Sequence, residues 1–361
     1  MHHVVFYRKL IFVMSMTTLS HKKVLNLITL KDVAREADVS LSMASRALRG
    51  TGYIDQEKKE KILNIASKIG YIPNLAARSL RQDCSHIIGL MLMKGMGLLE
   101  YYMQQALLKY GYRLLVVYSN GERLKERECI NTLLSSGVDG IICFFSNYEN
   151  VDLIDQCRKN GVPVLQLFSE QYDGLNSIVI DDELMTYNLT RMMTEKGHRK
   201  ILFLERKLLD EDEKANPVNG SYSGFCRAMS EVGIHVSYND FYCLPIEDGI
   251  EEAIYSLLVE KKPTAVIGAD AHISEMALVT MRKIGMNIGN NISFASYDDA
   301  RWCEYLGITA YEHDHLKIGE KCAESVVNLI SGKAISHIEK YVSVLHQRES
   351  VLTVSEQISC G

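Results

Sequence analysis

At His86 the hydrophobic periodicity of this 361-residue chain changes, and no other feature of the sequence constrains the fold as much. Downstream, "HIIGLMLM", "YRLLVVYS", "DGIICFFS", "VPVLQLF", "RKILFLE", "TAVIGAD" and "NISFASYDD" are apolar runs of strand length, separated by amphipathic stretches long enough for helices. A continuous apolar run suits a strand covered on both faces, and strand–helix alternation makes successive strands parallel. Six or seven strands with a start-over near Asn188 to Lys200 predict two doubly wound α/β halves within residues 86–361. An apolar fraction of 47% is enough to build their cores.

Upstream the pattern is helical and short. Thr29 caps a first helix, "LKDVAREA", whose early Asp32 offsets the positive end of the helix dipole. "ADV" (Ala37 to Val39) makes a tight turn and Ser40 caps a second helix, so two short helices are joined by a few residues, the layout of a helix-turn-helix. A third helix, "QEKKEKILNIASKIG", supplies Ile62, Leu63, Ile65, Ala66 and Ile69 to a small core and stops at Gly70. In "YIPNLAARSLRQDCS", Pro73 interrupts the chain and Asn74 caps a helix from Leu75 to Leu80. That helix has too little apolar surface to be stable alone, and it reads as a hinge. The expected division is therefore an extension (1–28), a helix-turn-helix domain (29–72), a hinge helix and linker (73–85), and an α/β domain (86–361).

The second helix, within "DVSLSMASRALRG", is the most informative segment. Val39, Met43, Ala44, Ala47 and Leu48 form a narrow apolar stripe, and Leu41, Ser42, Ser45, Arg46 and Arg49 point elsewhere. A helix that starts on serine, buries little and keeps hydroxyls and guanidiniums outside suits a polyanion. The charge distribution agrees. Residues 1–28 carry four basic residues and no acid, and residues 29–84 carry ten basic against seven acidic, so this end is at +7 within a chain of net charge −5.

Nine scattered cysteines, an odd number without a CxxC pair, argue against a disulfide framework and for a reducing, cytoplasmic setting. The opening "MHHVVFYRKLIFVMSM" has basic residues before an apolar run too short for a signal peptide, and Met14 or Met16 is an alternative start. No stretch approaches the ~20 apolar residues of a membrane span. Gly95 and Gly97 do not complete a GxGxxG, no phosphate-binding loop occurs, and no nucleophile–base motif stands out. His198 in "KGHRKI" reads as structural, and "EHDH" (Glu312 to His315) as a helix start rather than a metal site. Neither metal nor cofactor is implied.

The ordered fragments "TLKDVAREADVSLSMASRALRG", "GYIPNLAARSLR", "IIGLMLM", "SGVDGIICF", "GVPVLQLF", "KGHRKILFL", "GFCRAM", "ISFASYDD" and "RES" together resemble the lactose-repressor/galactose-repressor (LacI/GalR) family of bacterial transcription factors. The resemblance implies a small all-α three-helix helix-turn-helix domain plus hinge helix, followed by a two-lobed α/β effector domain like periplasmic sugar-binding proteins. By that likeness the chain crosses between lobes near residues 180, 311 and 338.

The same resemblance implies a homodimer, or a tetramer, on a near-palindromic double-stranded operator, regulated by a carbohydrate or related metabolite. Ser40 and Ser45 suit phosphate oxygens, and Leu41, Ser42 and Arg46 fall where the family reads base edges. Thr29 is grouped with them. Tyr71 and Asn74 match backbone-touching positions, and Leu80 matches the residue inserted into the minor groove. In the cleft, Asp298 matches the family's ligand-binding aspartate, with Asp270 beside it and His313 near a lining position. Three positions depart from the family pattern: Phe168 where sugar binders often keep aspartate, Ser221 where arginine is common, and Ala269 where asparagine is usual. "KGMGLLEYY" lacks the family's Asn-Pro-Phe-Phe. Those departures keep open a regulator whose lobes answer to a protein partner or to no ligand. An enzyme built on the α/β part is the weakest alternative.

Overall fold

A computed structural model of the chain describes residues 28–72, 84–145, 150–170, 172–206, 220–245 and 249–356. The chain divides into two units, residues 1–85 and 86–361.

The first unit holds helices α1 (Leu30–Ala37), α2 (Leu41–Arg49) and α3 (Gln56–Lys68). Each begins at a polar cap. Thr29 donates from N and Oγ1 to the Asp32 carboxylate, Ser40 Oγ accepts from Met43 N–H, and Asp55 Oδ1 accepts from Lys58 N–H. Each also ends in the same reversal, in which Val39, Thr51 and Tyr71 N–H groups donate to Ala34, Arg46 and Ala66 carbonyls. The preceding residues, Asp38, Gly50 and Gly70, take left-handed φ values of 53°, 67° and 70°. Satisfying both ends of every helix locally makes such short helices tenable.

Their core is Val33, Ala34, Ala37, Ala44, Ala47, Ile62 and Ala66, with Val39, Met43, Leu48, Ile65, Ile69 and Tyr71 packed around it. The apolar stripe of α2 is therefore the packed face. Leu63 departs from expectation and is 40% exposed. Positions 62, 66 and 69 share one side of α3, and 63 lies a quarter-turn away from them.

The second unit contains two six-stranded sheets. The first lobe is built on β1 (Ile87–Leu92), β2 (Arg113–Tyr118), β3 (Gly140–Cys143), β4 (Val164–Leu167), β5 (Asn176–Ile180) and β11 (Ile338–Tyr341), in the order β11-β5-β4-β3-β1-β2 and parallel throughout. The second lobe uses β6 (Ile201–Arg206), β7 (Tyr242–Leu244), β8 (Ala265–Gly268), β9 (Ser293–Ser296), β10 (Thr309–Glu312) and β12 (Val344–His346), in the order β12-β10-β9-β8-β6-β7. Only β12 runs antiparallel there, pairing Ala310 with His346.

Helices cover both sheets. In the first lobe α4 (Leu98–Lys109), α5 (Arg123–Ser135) and α6 (Val151–Lys159) are joined by α13 (His315–Ile330), which packs against α4. The second lobe carries α7 (Asp182–Glu195), α8 (Gly220–Ser230), α9 (Tyr238–Phe241), α10 (Ile250–Lys261), α11 (Ala271–Lys283) and α12 (Arg301–Tyr305). Phe203, Phe225, Phe241, Met185 and Leu189 form its core beneath α7 and α8, and Phe294, Ile273, Leu258 and Met281 form the core on the opposite face. One glycine in each lobe allows two helices to touch. A Cβ on Gly224 would lie 2.2 Å from the Glu183 carbonyl of α7, and one on Gly319 would lie 2.8 Å from the Met103 nitrogen of α4.

The lobes exchange chain at residue 181, at 313–314 and at 342–343. The first crossing matches expectation; the others lie two and four residues later. Strands β10, "TAYE", and β11, "IEKY", carry each sheet up to its crossing, yet their charged residues hide them from a search for apolar runs. Among the described residues there are twelve strands rather than six or seven, because β5, β7, β10, β11 and β12 are short or mixed in polarity. The second lobe also starts earlier than Asn188, with α7 directly after the first crossing.

Candidate DNA-reading face and interlobe site

On α2, the residues outside the core are those suspected of reading DNA. Ser40 is spent partly on its cap, and its Oγ lies 3.1 Å from Ser42 Oγ. Ser42 and Arg46 are exposed, Ser45 is half-buried, and Leu41 is 39% exposed. A Cβ at Gly52 would lie 3.5 Å from Arg46 Cδ, so the arginine stem lies along the turn that ends the helix. The helix contains two arginines and no acid. Hydroxyls and a guanidinium on a helix free of carboxylates can meet phosphates and the acceptor edge of guanine.

Thr29 is held by Asp32 at the start of α1. Tyr71 is half-buried against the module's core, and burial raises its phenol pKa. Asn74 and Leu80 lie outside the described residues.

The second site lies at the carboxyl ends of strands, where open α/β sheets bind ligands. Lys94, two residues after β1, meets Asp270, two residues after β8, at 3.5 Å, so these ends of the two sheets face one another. Asp270 also caps α11 through Ile273 N–H at 2.7 Å. Asp298, two residues after β9, accepts from Ala271 N–H (2.8 Å) and faces His313 Nε2 (2.9 Å). His313 Nδ1 in turn lies 2.6 Å from Ser343 Oγ.

Phe168 follows β4 with φ of 54°, a conformation costly for a bulky side chain and one that usually persists where function requires it. Ala269 is half-buried between the two cores of the second lobe. Ser221 is buried on α8, where its hydroxyl bonds Tyr297.

Sequence reasoning missed four participants: Lys94, Asp182, His315 and Ser343. Burial pushes the Asp182 carboxyl up to about 6, opposed by His313 and assisted by the charges of Asp181 and Asp298. The first cause is desolvation, which disfavours the charged form. Burial lowers the His315 pKa, and His315 Nδ1 is buried without a hydrogen-bond partner. The Asp181–Asp182 doublet after a strand was a usable signal; nothing in the sequence marks Ser343.

The "EHDH" segment disperses. Glu312 pairs with His346, His313 with Asp298, and Asp314 caps α13 through Lys317 N–H. Among the described residues no cluster of three or more His, Cys, Asp or Glu could hold a metal. His198 is fully buried, bonded to Thr264, Ser293 and the Leu352 carbonyl, a structural role. A separate groove of 560 Å³ opens between α7, β10 and the third crossing; Ser343 lines it, but none of the effector residues expected from the sequence does. No helix among the described residues is long and apolar enough to cross a membrane.

A helix-turn-helix unit followed by a two-lobed sheet pair closed by three crossings defines a class: DNA-binding proteins that carry a binding-protein fold. Residues 29–74 match the model of bacterial regulatory proteins of the lacI family, and residues 98–348 match that of periplasmic binding proteins and the sugar-binding domain of the LacI family. The chain belongs to the LacI family of bacterial regulatory proteins, and it is a DNA-binding regulator of transcription. It is 26% identical over 337 residues to the HTH-type transcriptional regulator RegA of Clostridium saccharobutylicum, covering 90% of this chain and 99% of that one. It is 28% identical over 287 residues to catabolite control protein A of Priestia megaterium, covering 76% and 83%. In fold it is similar to the lac repressor dimer bound to operator and the anti-inducer ONPF (TM-score 0.74, 20% identity, 90% and 99% covered).

Proposed function

We propose that the protein is a repressor that binds a near-palindromic operator as a two-fold dimer in the cytoplasm, and that a small metabolite in the interlobe cleft sets its affinity. The observation that carries this reading is α2, a capped, acid-free helix whose buried stripe leaves Leu41, Ser42, Ser45 and Arg46 outside. One such helix reads too few bases for specificity, so two must act together across a dyad. A dimer on operator DNA is described for the lac repressor, whose fold this chain shares. Thr29, Ser40, Ser45, Tyr71 and Asn74 hold the backbone in this reading, Leu41, Ser42 and Arg46 face the bases, and Leu80 wedges into the minor groove from the hinge at 73–85.

A gel-shift titration tests it: deleting one half-site should abolish tight binding, and equal binding to half and full sites would refute the dimer. Affinity should fall steeply with salt through counterion release. Leu80→Ala should weaken binding and reduce operator bending; an unchanged bend removes the wedge.

For the effector, Asp298 accepts from ligand hydroxyl or amine groups, and Phe168 supplies an apolar wall. The pair favours a metabolite with one flatter or less polar face over a sugar gripped by charges from both lobes. The structural employment of Asp270 as a cap and of Ser221 beside Tyr297 favours a second reading, in which a protein partner replaces the metabolite. A thermal-shift panel of sugars, sugar phosphates, nucleosides and purines separates them, since a ligand at 100 times its Kd stabilises by about 2.7 kcal/mol. A panel without any shift moves the assignment to the partner reading.

A further inference from the structure

Both carboxylate oxygens of Asp298 are engaged by partners within the protein, and those partners lie far apart in the chain. Oδ2 accepts from the first backbone N–H of α11, that of Ala271, at 2.8 Å. Oδ1 faces His313 Nε2 at 2.9 Å, and His313 Nδ1 faces Ser343 Oγ at 2.6 Å. An ionised carboxylate only accepts, so Nε2 carries the ring proton. The other ring nitrogen, Nδ1, is held by the Ser343 hydroxyl, so Ser343 fixes the ring orientation that presents a donor to Asp298. The histidine side chain is only 9% exposed and Ser343 only 8%, so water competes little for these bonds.

His313 belongs to the second crossing between lobes and Ser343 to the third. The first crossing is attached as well, because Tyr297, the neighbour of Asp298, donates its hydroxyl to the Asp182 carbonyl at 2.7 Å. The second crossing is therefore bonded directly to the pair 297–298, the third reaches it through His313, and the residue that follows the first crossing accepts from Tyr297. Any rotation of one lobe against the other must be taken up in these segments.

We propose that His313 and Ser343 are positioning residues that tie the Asp298 carboxylate to the hinge, so that the angle between the lobes and the orientation of the effector's acceptor change together. The proposal rests on the reading of Asp298 as the residue facing the effector. It assigns His313 to a place behind that carboxylate rather than on the ligand. It also supplies the differential contact that allostery needs, since a ligand bonded to Asp298 then favours one lobe arrangement over another.

Amide hydrogen exchange on the full-length, ligand-free protein tests this, with rates corrected for the intrinsic exchange of each peptide. His313→Ala should speed exchange about tenfold both at the Ala271 end of α11 and in the peptide holding Ser343, the weight of one hydrogen bond to a charged group. His313→Gln, which can still donate to the carboxylate, should restore the Ala271 end. Ser343→Ala removes one hydroxyl from the far end of the chain and should still speed exchange at Ala271 severalfold. Acceleration confined to residues 312–316, a silent Ser343→Ala, or a glutamine that rescues nothing would each overturn the proposal. Because no effector is added, a panel without hits counts against the effector reading alone.

Discussion

The helix-turn-helix module and the two-lobed unit use their polar residues in opposite ways. In the module, structural and candidate functional duties are assigned to different residues. Ala44 and Ala47 hold α2 in the core, while Ser42 and Arg46 on the other side of the same helix are exposed. Ser40, which caps the helix, is the exception. In the two-lobed unit one side chain does both. Asp270 caps α11 and pairs with Lys94, and Asp298, the proposed effector acceptor, holds Ala271 and His313. A face that the fold does not need can be altered without a change in stability, whereas a change to a group that the fold also uses alters stability or local order as well.

The comparison breaks first at the glycines. Gly224→Ala forces a methyl group against the α7 backbone and should cost about 3 kcal/mol, seen as a lower thermal midpoint of the two-lobed unit. A midpoint within a degree of wild type would mean that the two helices can separate freely. Asp182 comes next. Its carboxyl is raised to about 6 from an ordinary value of 3.8, so the stability it contributes is present below pH 4 and lost as pH rises through 6. Asp182→Asn should therefore stabilise the protein by about 2–3 kcal/mol at pH 7.5 and by nothing near pH 4. A midpoint difference that stays constant with pH would contradict the burial argument.

The module should respond differently. Arg46→Ala should cost about 1–3 kcal/mol of operator binding and relax base preference at one position per half-site, with an unchanged thermal midpoint. Loss of stability instead would make Arg46 structural and erase the contrast. The smallest effect is expected for Ser42→Ala, about 0.5 kcal/mol or less in stability, because its side chain leaves the core untouched. Denaturant unfolding of the two variants side by side checks both.

The same contrast explains what the sequence disclosed. The caps Thr29, Ser40 and Asp55 and the three reversals act over a few residues, so the module is legible almost in full, apart from the facing of Leu63. Seven strands announce themselves as apolar runs. The edge strands β7, β11 and β12 do not, and neither do β5 and β10, since short strands with polar or charged residues lack that pattern. In the two-lobed unit, the place of Asp298 just after a strand is legible in the sequence. Its partners are not, because His313 lies 15 residues on and Ser343 a further 30, and only the crossings bring them together. Ser221 lies on α8 with its hydroxyl bonded to Tyr297, a pairing of distant residues that nothing in the sequence marks.

Selection of duplexes from a random library by the full-length protein, followed by sequencing, tests the central claim most directly. The account predicts a single enriched motif with two-fold symmetry, and Arg46→Ala should lose information at the same position in both halves. An enriched motif without a dyad, or no enrichment at all, would contradict it.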